Sequence, residues 1–260
     1  MRLGPMRHRS FRPPGLGRIR ISHRPPRTAP APPGSNPPAA VISTRRRAQP
    51  WIVFSPGALT RSGDYPELLG ALTAAGAVVL TLDYDWTKLF AGDSVELAKP
   101  MRAIRRLQSG RLPARGLARH GLPVPPGSRR RRRGPPLRLL GYSLGGWVLS
   151  AGFAESKRGQ PLEIVLLGTS TLREPWEPPK RRQHRMRLVA GTEDGVIDRD
   201  ALARLAAAFA TEIEWLDGVN HFGLLNDRVG APAFRARDQT TRLTRRQCAE
   251  RIACQLVRGR

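Results

Sequence analysis

The pentapeptide Gly141-Tyr142-Ser143-Leu144-Gly145, with Gly146 after it, constrains this chain more than any other feature. It lies between an apolar run, Leu137 to Leu140, and a helix-like stretch, Trp147 to Glu155. A serine at a tight strand-to-helix turn takes a strained backbone conformation, so its flanks need residues without bulk, and Gly141 and Gly145 supply them. Such a turn lifts the Ser143 hydroxyl clear of a sheet. It also aims the Leu144 N–H, at the helix start, where an oxyanion would form. In a chain with 26 glycines the motif alone is weak, and the reading depends on partners elsewhere.

Those partners follow in order. Arg187 to Ala190 reads as a short apolar strand running into Gly191-Thr192-Glu193-Asp194-Gly195, which puts an acid just past a strand end. Glu212 to Leu216 alternates as a strand and leads into Asp217-Gly218-Val219-Asn220-His221-Phe222-Gly223, the only histidine after the acid. Ser143, Asp194 and His221, each beyond a predicted strand, follow the Ser-Asp-His chain order of one serine hydrolase architecture and of no other common one. Glu193, Asp198 and Asp217 compete for the acid role. Asp194 is preferred because a short carboxylate on the tight turn reaches an imidazole. His120 and His184 are poorer bases, the first before the elbow in a Pro- and Arg-rich stretch, the second among Arg181, Arg182 and Arg185, which disfavour imidazolium.

Acyl transfer needs a second oxyanion donor. Trp51 to Phe54 reads as an early central strand and Ser55-Pro56-Gly57-Ala58-Leu59 as the loop after it, where Pro56-Gly57 turns the chain so that the Ala58 N–H can face the serine. The rest alternates strand and helix as a doubly wound, mostly parallel α/β sheet does: Tyr65 to Ala75 helix, Gly76 to Asp83 strand, Glu163 to Leu167 strand, Leu202 to Phe209 helix and Thr244 to Val257 closing helix. Leu172 to Arg185, with Pro175, Trp176, Pro178 and Pro179, stands where a lid is inserted in such sheets and is short. An open site follows, with Trp147, Trp176 and Phe222 as candidate walls.

These segments, from about Pro50 to Asp227 and the closing helix, resemble an α/β-hydrolase of the dienelactone hydrolase, polyester hydrolase and platelet-activating-factor acetylhydrolase group. The resemblance implies an α/β-hydrolase fold and a carboxylic ester hydrolase. Ser143 would be nucleophile, His221 base, Asp194 its orienting acid, and the Leu144 and Ala58 amides the oxyanion hole, with no cofactor and a small-molecule ester or acyl substrate. Dienelactone hydrolases proper use a cysteine nucleophile; here Ser143 holds that position, so their particular reaction is not implied.

Composition bounds the remainder. The chain of 260 residues holds one sizeable core, and we read 1–49 as a basic Pro/Arg-rich disordered or targeting segment and 50–260 as the hydrolase domain with an Arg-rich loop near 111–135. Residues 1–63 contain twelve arginines and no acid, and Arg129 to Arg133 add five more, so most of the net charge of +25 sits in two segments framed by Pro and Gly. That distribution argues against nucleic acid as a partner, and 41 arginines against four lysines, with plentiful Pro, Gly and Ala, is what GC-biased coding produces without selection for binding. The alternative is a catalytically idle scaffold holding RNA or an acidic partner through its arginines. The basic N-terminus also fits an organellar transit peptide, polyanion binding or an incorrectly assigned gene start, with a cytoplasmic or organellar location, no secretory signal and no membrane span. Before Trp51 only Ala39 to Ser43 offers a strand, so the sheet is expected to start late. Cys248 and Cys254, six apart in the last helix, fall on different faces and read as free thiols. No metal-ligand spacing is present, and composition leaves the oligomeric state open.

Overall fold

A computed structural model describes residues 6–11, 19–23, 50–108, 137–154, 163–170, 185–225, 235–236 and 238–258. Six parallel strands form the body of the sheet: β3 (Trp51–Ser55), β4 (Val78–Leu82), β5 (Leu137–Tyr142), β6 (Glu163–Leu167), β7 (Arg185–Gly191) and β8 (Ile213–Leu216). Two more, β1 (Arg7–Phe11) and β2 (Ile19–His23), extend it antiparallel, giving the order β1-β2-β4-β3-β5-β6-β7-β8. The central strands are near-continuous apolar runs because both sheet faces are covered. Trp51, Val53, Leu80, Leu139, Ile164 and Leu188 point into one layer, and Ile52, Phe54, Val79, Leu140, Val165 and Val189 into the other.

The first layer is closed by α2 (Trp86–Phe90), α3 (Ser94–Leu97), α4 (Lys99–Gln108), α5 (Leu144–Ala154) and α6 (Arg199–Phe209), the second by α1 (Pro66–Ala74) and α7 (Arg245–Ala253). Each expected helix and strand after Trp51 that falls on described residues is present, with boundaries shifted by a few residues. From β3 the chain first crosses to β4 on one side and later returns to β5 on the other. The strand order therefore reverses between β3 and β5, and a crevice at their C-terminal ends is where such sheets build sites. Among the described residues no helix is long and apolar enough to cross a membrane. Cys248 is buried and Cys254 exposed, both free, and burial raises the Cys248 thiol above its ordinary range.

The N-terminal region corrects the expectation of a late start. β2 pairs antiparallel with β4, Ile19 opposite Leu82 and Ile21 opposite Leu80, and β1 pairs with β2 outside it. Ile19-Arg20-Ile21-Ser22 has the period-two alternation of a strand, which the surrounding Pro and Arg obscured. Ser22 is fully buried, and Thr73 of α1 donates to the Met6 sulfur at 3.3 Å. The alternative candidate, Ala39 to Ser43, lies outside the described residues, as do His120, the arginine run Arg129 to Arg133, residues 172–184 with Trp176, and His184. Deleting residues 1–23 removes both strands and leaves β4, buried along its whole length, as an unpaired edge. The truncated chain is expected to associate further than the full chain in size-exclusion chromatography, and a truncated species with the same association state as the full chain would show that the edge needs no cover.

A ladder of alternating charge crosses the strand starts of the other half: Arg138 of β5, Glu163 of β6, Arg187 of β7 and Glu214 of β8. The Arg138 Nε lies 2.5 Å from Glu163, and Arg187, only 7% exposed, reaches Glu163 at 3.2 Å and holds Glu214 through two bonds of 2.5 and 2.6 Å. The Arg187 hydrogen bond, followed by that from Gln255, holds the Glu214 carboxyl below its ordinary range. A depressed folded-state pKa means that Glu214 stabilises the fold above its unfolded value and that this contribution disappears as pH falls through the folded one. The gap in thermal midpoint between wild type and Glu214→Gln should therefore be widest near neutrality and close progressively below about pH 4. A gap that stays constant down to pH 3 would contradict this assignment.

Candidate active site

Ser143 sits at the turn between β5 and α5 with φ +51°, a left-handed conformation that costs a non-glycine residue about 1–3 kcal/mol unless its surroundings hold it. They do. Its N–H donates to the Leu167 carbonyl at 2.9 Å, and its carbonyl accepts from the Gly146 N–H and the Thr169 hydroxyl, each at 2.9 Å. The turn is tight enough that a Cβ on Gly145 would stand 2.1 Å from the Ser55 carbonyl oxygen and 2.5 Å from that of Pro56. The first turn of α5 thus presses directly against the end of β3 and the loop that follows it.

Asp194 lies on the turn after β7, 4% exposed. Its Oδ1 accepts from the N–H groups of Val196 at 3.0 Å and Ile197 at 3.1 Å, which fixes the carboxylate and leaves Oδ2 to face the imidazole. His221 follows β8 and is equally buried. Its Nδ1 is 2.8 Å from Asp194 Oδ2 and its Nε2 3.0 Å from Ser143 Oγ. The three residues chosen from the sequence come together in one hydrogen-bonded line. Two of the three competing acids are engaged elsewhere: Asp198 caps α6 by accepting from Asp200 and Ala201, and Asp217 is an exposed partner of Arg251 at 3.6 Å.

The imidazole has a fixed backing. Gly168, at φ +56°, runs so close that a Cβ there would lie 3.2 Å from Asp194 Oδ2 and 3.3 Å from His221 Nδ1. The Tyr142 hydroxyl donates to the His221 carbonyl, and the two rings lie 5.2 Å apart. Burial first, then neighbouring Tyr65, Asp194 and Asp238, keeps the Tyr142 phenol well above its ordinary range, so it acts as a neutral donor.

Leu144 is the first residue of α5, and its N–H belongs to the open N-terminal turn of that helix. Ala58 is exposed on the loop after β3, and among the described residues neither N–H has an acceptor. The loop is held from below. The Gly57 N–H donates to the Tyr65 hydroxyl at 2.8 Å, the Thr60 hydroxyl bonds both Tyr65 at 2.7 Å and the Gly57 carbonyl at 2.6 Å, and the Trp86 indole donates to the Thr60 carbonyl at 3.2 Å. The Gly57 N–H is thus spent on Tyr65 and the Thr60 N–H on the Gly57 carbonyl. Leu59, at φ +57° and 72% exposed, completes the turn.

Of the candidate walls, Trp147 is half-buried and packs against the first core layer. Phe222 meets the His221 ring edge-on at 5.3 Å, carries the Arg235 guanidinium over its ring at 5.5 Å and borders a cavity of about 590 Å³ with Glu67, Asn220 and Leu243. Trp176 lies outside the described residues. Sequence reasoning missed Tyr65, Thr169 and Asp238. Thr169 could have been found from its place in Gly168-Thr169-Ser170 after β6; Asp238, in an Arg-rich stretch with no motif, carried no signal.

No family model matches the chain, and no curated protein matches it in sequence. Solved structures do match it in shape. A ferulic acid esterase from Streptomyces cinnamoneus superposes with a TM-score of 0.56 at 18% identity, over 99% of this chain and 91% of that one. A dienelactone hydrolase-like promiscuous phosphotriesterase from metagenomic libraries gives 0.50 at 14% identity, over 98% of both chains. At these identities the likeness is one of fold.

Proposed function

Starting from an α/β-hydrolase fold, we propose that the chain is a serine hydrolase that cleaves a carboxylic ester through Ser143, His221 and Asp194. The observation that carries this reading is the unbroken line from Asp194 Oδ2 to His221 Nδ1 at 2.8 Å and from Nε2 to Ser143 Oγ at 3.0 Å, ending on a serine in a strained turn. Ser143 Oγ attacks the ester carbonyl while its proton passes to His221 Nε2, and the Asp194 carboxylate stabilises the imidazolium that forms. The carbonyl electrons move onto oxygen, where the Leu144 and Ala58 N–H groups meet the developing charge. Collapse expels the alcohol, which takes the proton from Nε2 and leaves an acyl-Ser143 ester. Water then attacks that ester with His221 again as base, releasing the acid and free enzyme.

Rapid mixing with p-nitrophenyl acetate tests the proposal. A burst of p-nitrophenol approaching one equivalent per chain, followed by slower turnover, is the expected mark of an acyl-enzyme whose hydrolysis limits the rate. Absence of any p-nitrophenol release above the uncatalysed rate from folded protein would overturn it.

A further inference from the structure

The Asp238 carboxylate grips both of the turns that carry the Asp194–His221 pair. Its Oδ1 accepts from the N–H of Gly195 at 3.2 Å and of His221 at 3.0 Å, and its Oδ2 accepts from the N–H of Phe222 at 2.8 Å. Gly195 directly follows Asp194, so a single side chain spans the acid-bearing and base-bearing turns. The adjoining segment reinforces the grip: the Gln239 carbonyl accepts from the Asn220 side-chain amide at 2.9 Å, and the Thr241 hydroxyl donates to the Gly218 carbonyl. The two turns also meet through Glu193 N–H to the Val219 carbonyl at 3.1 Å and Gly218 N–H to the Thr192 hydroxyl at 2.8 Å, both closer to the strand ends.

Three converging N–H donors need an acceptor with two oxygens and no hydrogen of its own. An aspartate meets that need, and its charge makes each bond stronger than a neutral one. An asparagine keeps one acceptor oxygen and turns an NH₂ toward a donor. Main chain at Gly168 lies along the Asp–His contact, as described above. The approach of one turn to the other sets the Nδ1 to Oδ2 distance, and Asp238 bridges the two turns next to that contact.

We propose that Asp238 is a positioning residue that holds the Asp194–His221 hydrogen bond at its working length. Its effect on turnover rests on the serine hydrolase reading; its effect on the geometry does not.

The test compares Asp238→Asn and Asp238→Ala with Asp93→Ala, which removes the side chain that caps α3 through Val95 and Glu96 and so weakens the fold elsewhere. Two readouts are taken on the full chain: kcat and KM for p-nitrophenyl butyrate, and the low-field proton resonance of the His221 Nδ1–H. Asp238→Asn should lower kcat by about 10- to 100-fold, the scale set by small misplacements of reacting groups. KM should stay within about twofold, because substrate binding is untouched, and the low-field resonance should broaden or move upfield. Asp93→Ala, at a comparable loss of thermal midpoint, should keep both at wild-type values. An Asp238→Asn protein with unchanged resonance and unchanged kcat overturns the proposal, and so does an Asp93→Ala protein that reproduces its losses. If no protein in the set hydrolyses the ester but the resonance responds as described, the hydrolase reading fails and the positioning role stands.

Discussion

Ser143→Ala and His221→Ala are each expected to lower kcat for a short-chain p-nitrophenyl ester by about four to six decades, and Asp194→Asn by about four. The size follows from the hydrogen-bonded line of the site. Without Oγ there is no nucleophile to form the acyl-enzyme, and without the imidazole the proton acceptor that stands 3.0 Å from Oγ is gone. Asparagine at 194 would present either an oxygen or an amide group to Nδ1. In the second case the ring takes the tautomer whose Nε2 carries the proton, and it can no longer accept from serine. Because the three residues act as a unit, the double variant Ser143→Ala/His221→Ala should lose little more than either single one. Steady-state kinetics with thermal midpoints measured alongside checks this. Turnover by Ser143→Ala within tenfold of wild type would remove the serine from the mechanism.

Gly145→Ala is expected to damage both stability and turnover, for a packing reason. The added methyl would stand 2.1 Å from the Ser55 carbonyl oxygen and 2.5 Å from that of Pro56, both backbone atoms that cannot swing aside. Either α5 moves and carries Ser143 and Leu144 with it, or the loop after β3 moves and carries Ala58. Overpacking of this kind costs roughly 3 kcal/mol, which is about 6–12 °C of thermal midpoint for a domain of this size. A displacement of about 1 Å at the reacting groups lowers kcat about 100-fold. Gly70→Ala in α1 is the matching control: its Cβ would meet nothing within 4 Å, and alanine in a helix interior is favoured over glycine. A Gly145→Ala protein with the midpoint and kcat of wild type would show that the close approach of α5 to β3 is not maintained in solution.

The hydrogen-bonded line of Ser143, His221 and Asp194 was legible because each member is a polar residue one turn past an apolar strand, and strands buried on both faces announce themselves as apolar runs. The same feature made β3, β5, β6 and β7 readable. β1 and β2 were not, because their place in the sheet is set by the pairing of β2 with β4, a partner more than fifty residues away in the chain. Local composition, dominated there by Pro and Arg, points toward an unfolded segment and says nothing of that pairing. Asp238 was hidden for a related reason. Its partners are backbone N–H groups of residues 195, 221 and 222, and a backbone donor leaves no mark in a sequence. Tyr65 shows the same limit: its hydroxyl accepts from the Gly57 N–H and holds the loop after β3, a contact that the Pro-Gly turn alone does not reveal.

The central claim is that Ser143 is the nucleophile activated by His221. Reaction of the full chain with a fluorophosphonate, followed by proteolysis and mass mapping of the adduct, tests it most directly. The account predicts a single adduct on the peptide that contains Ser143, absent from Ser143→Ala and formed far more slowly by His221→Ala. An adduct on any other residue, or labelling of Ser143→Ala at the wild-type rate, would contradict it.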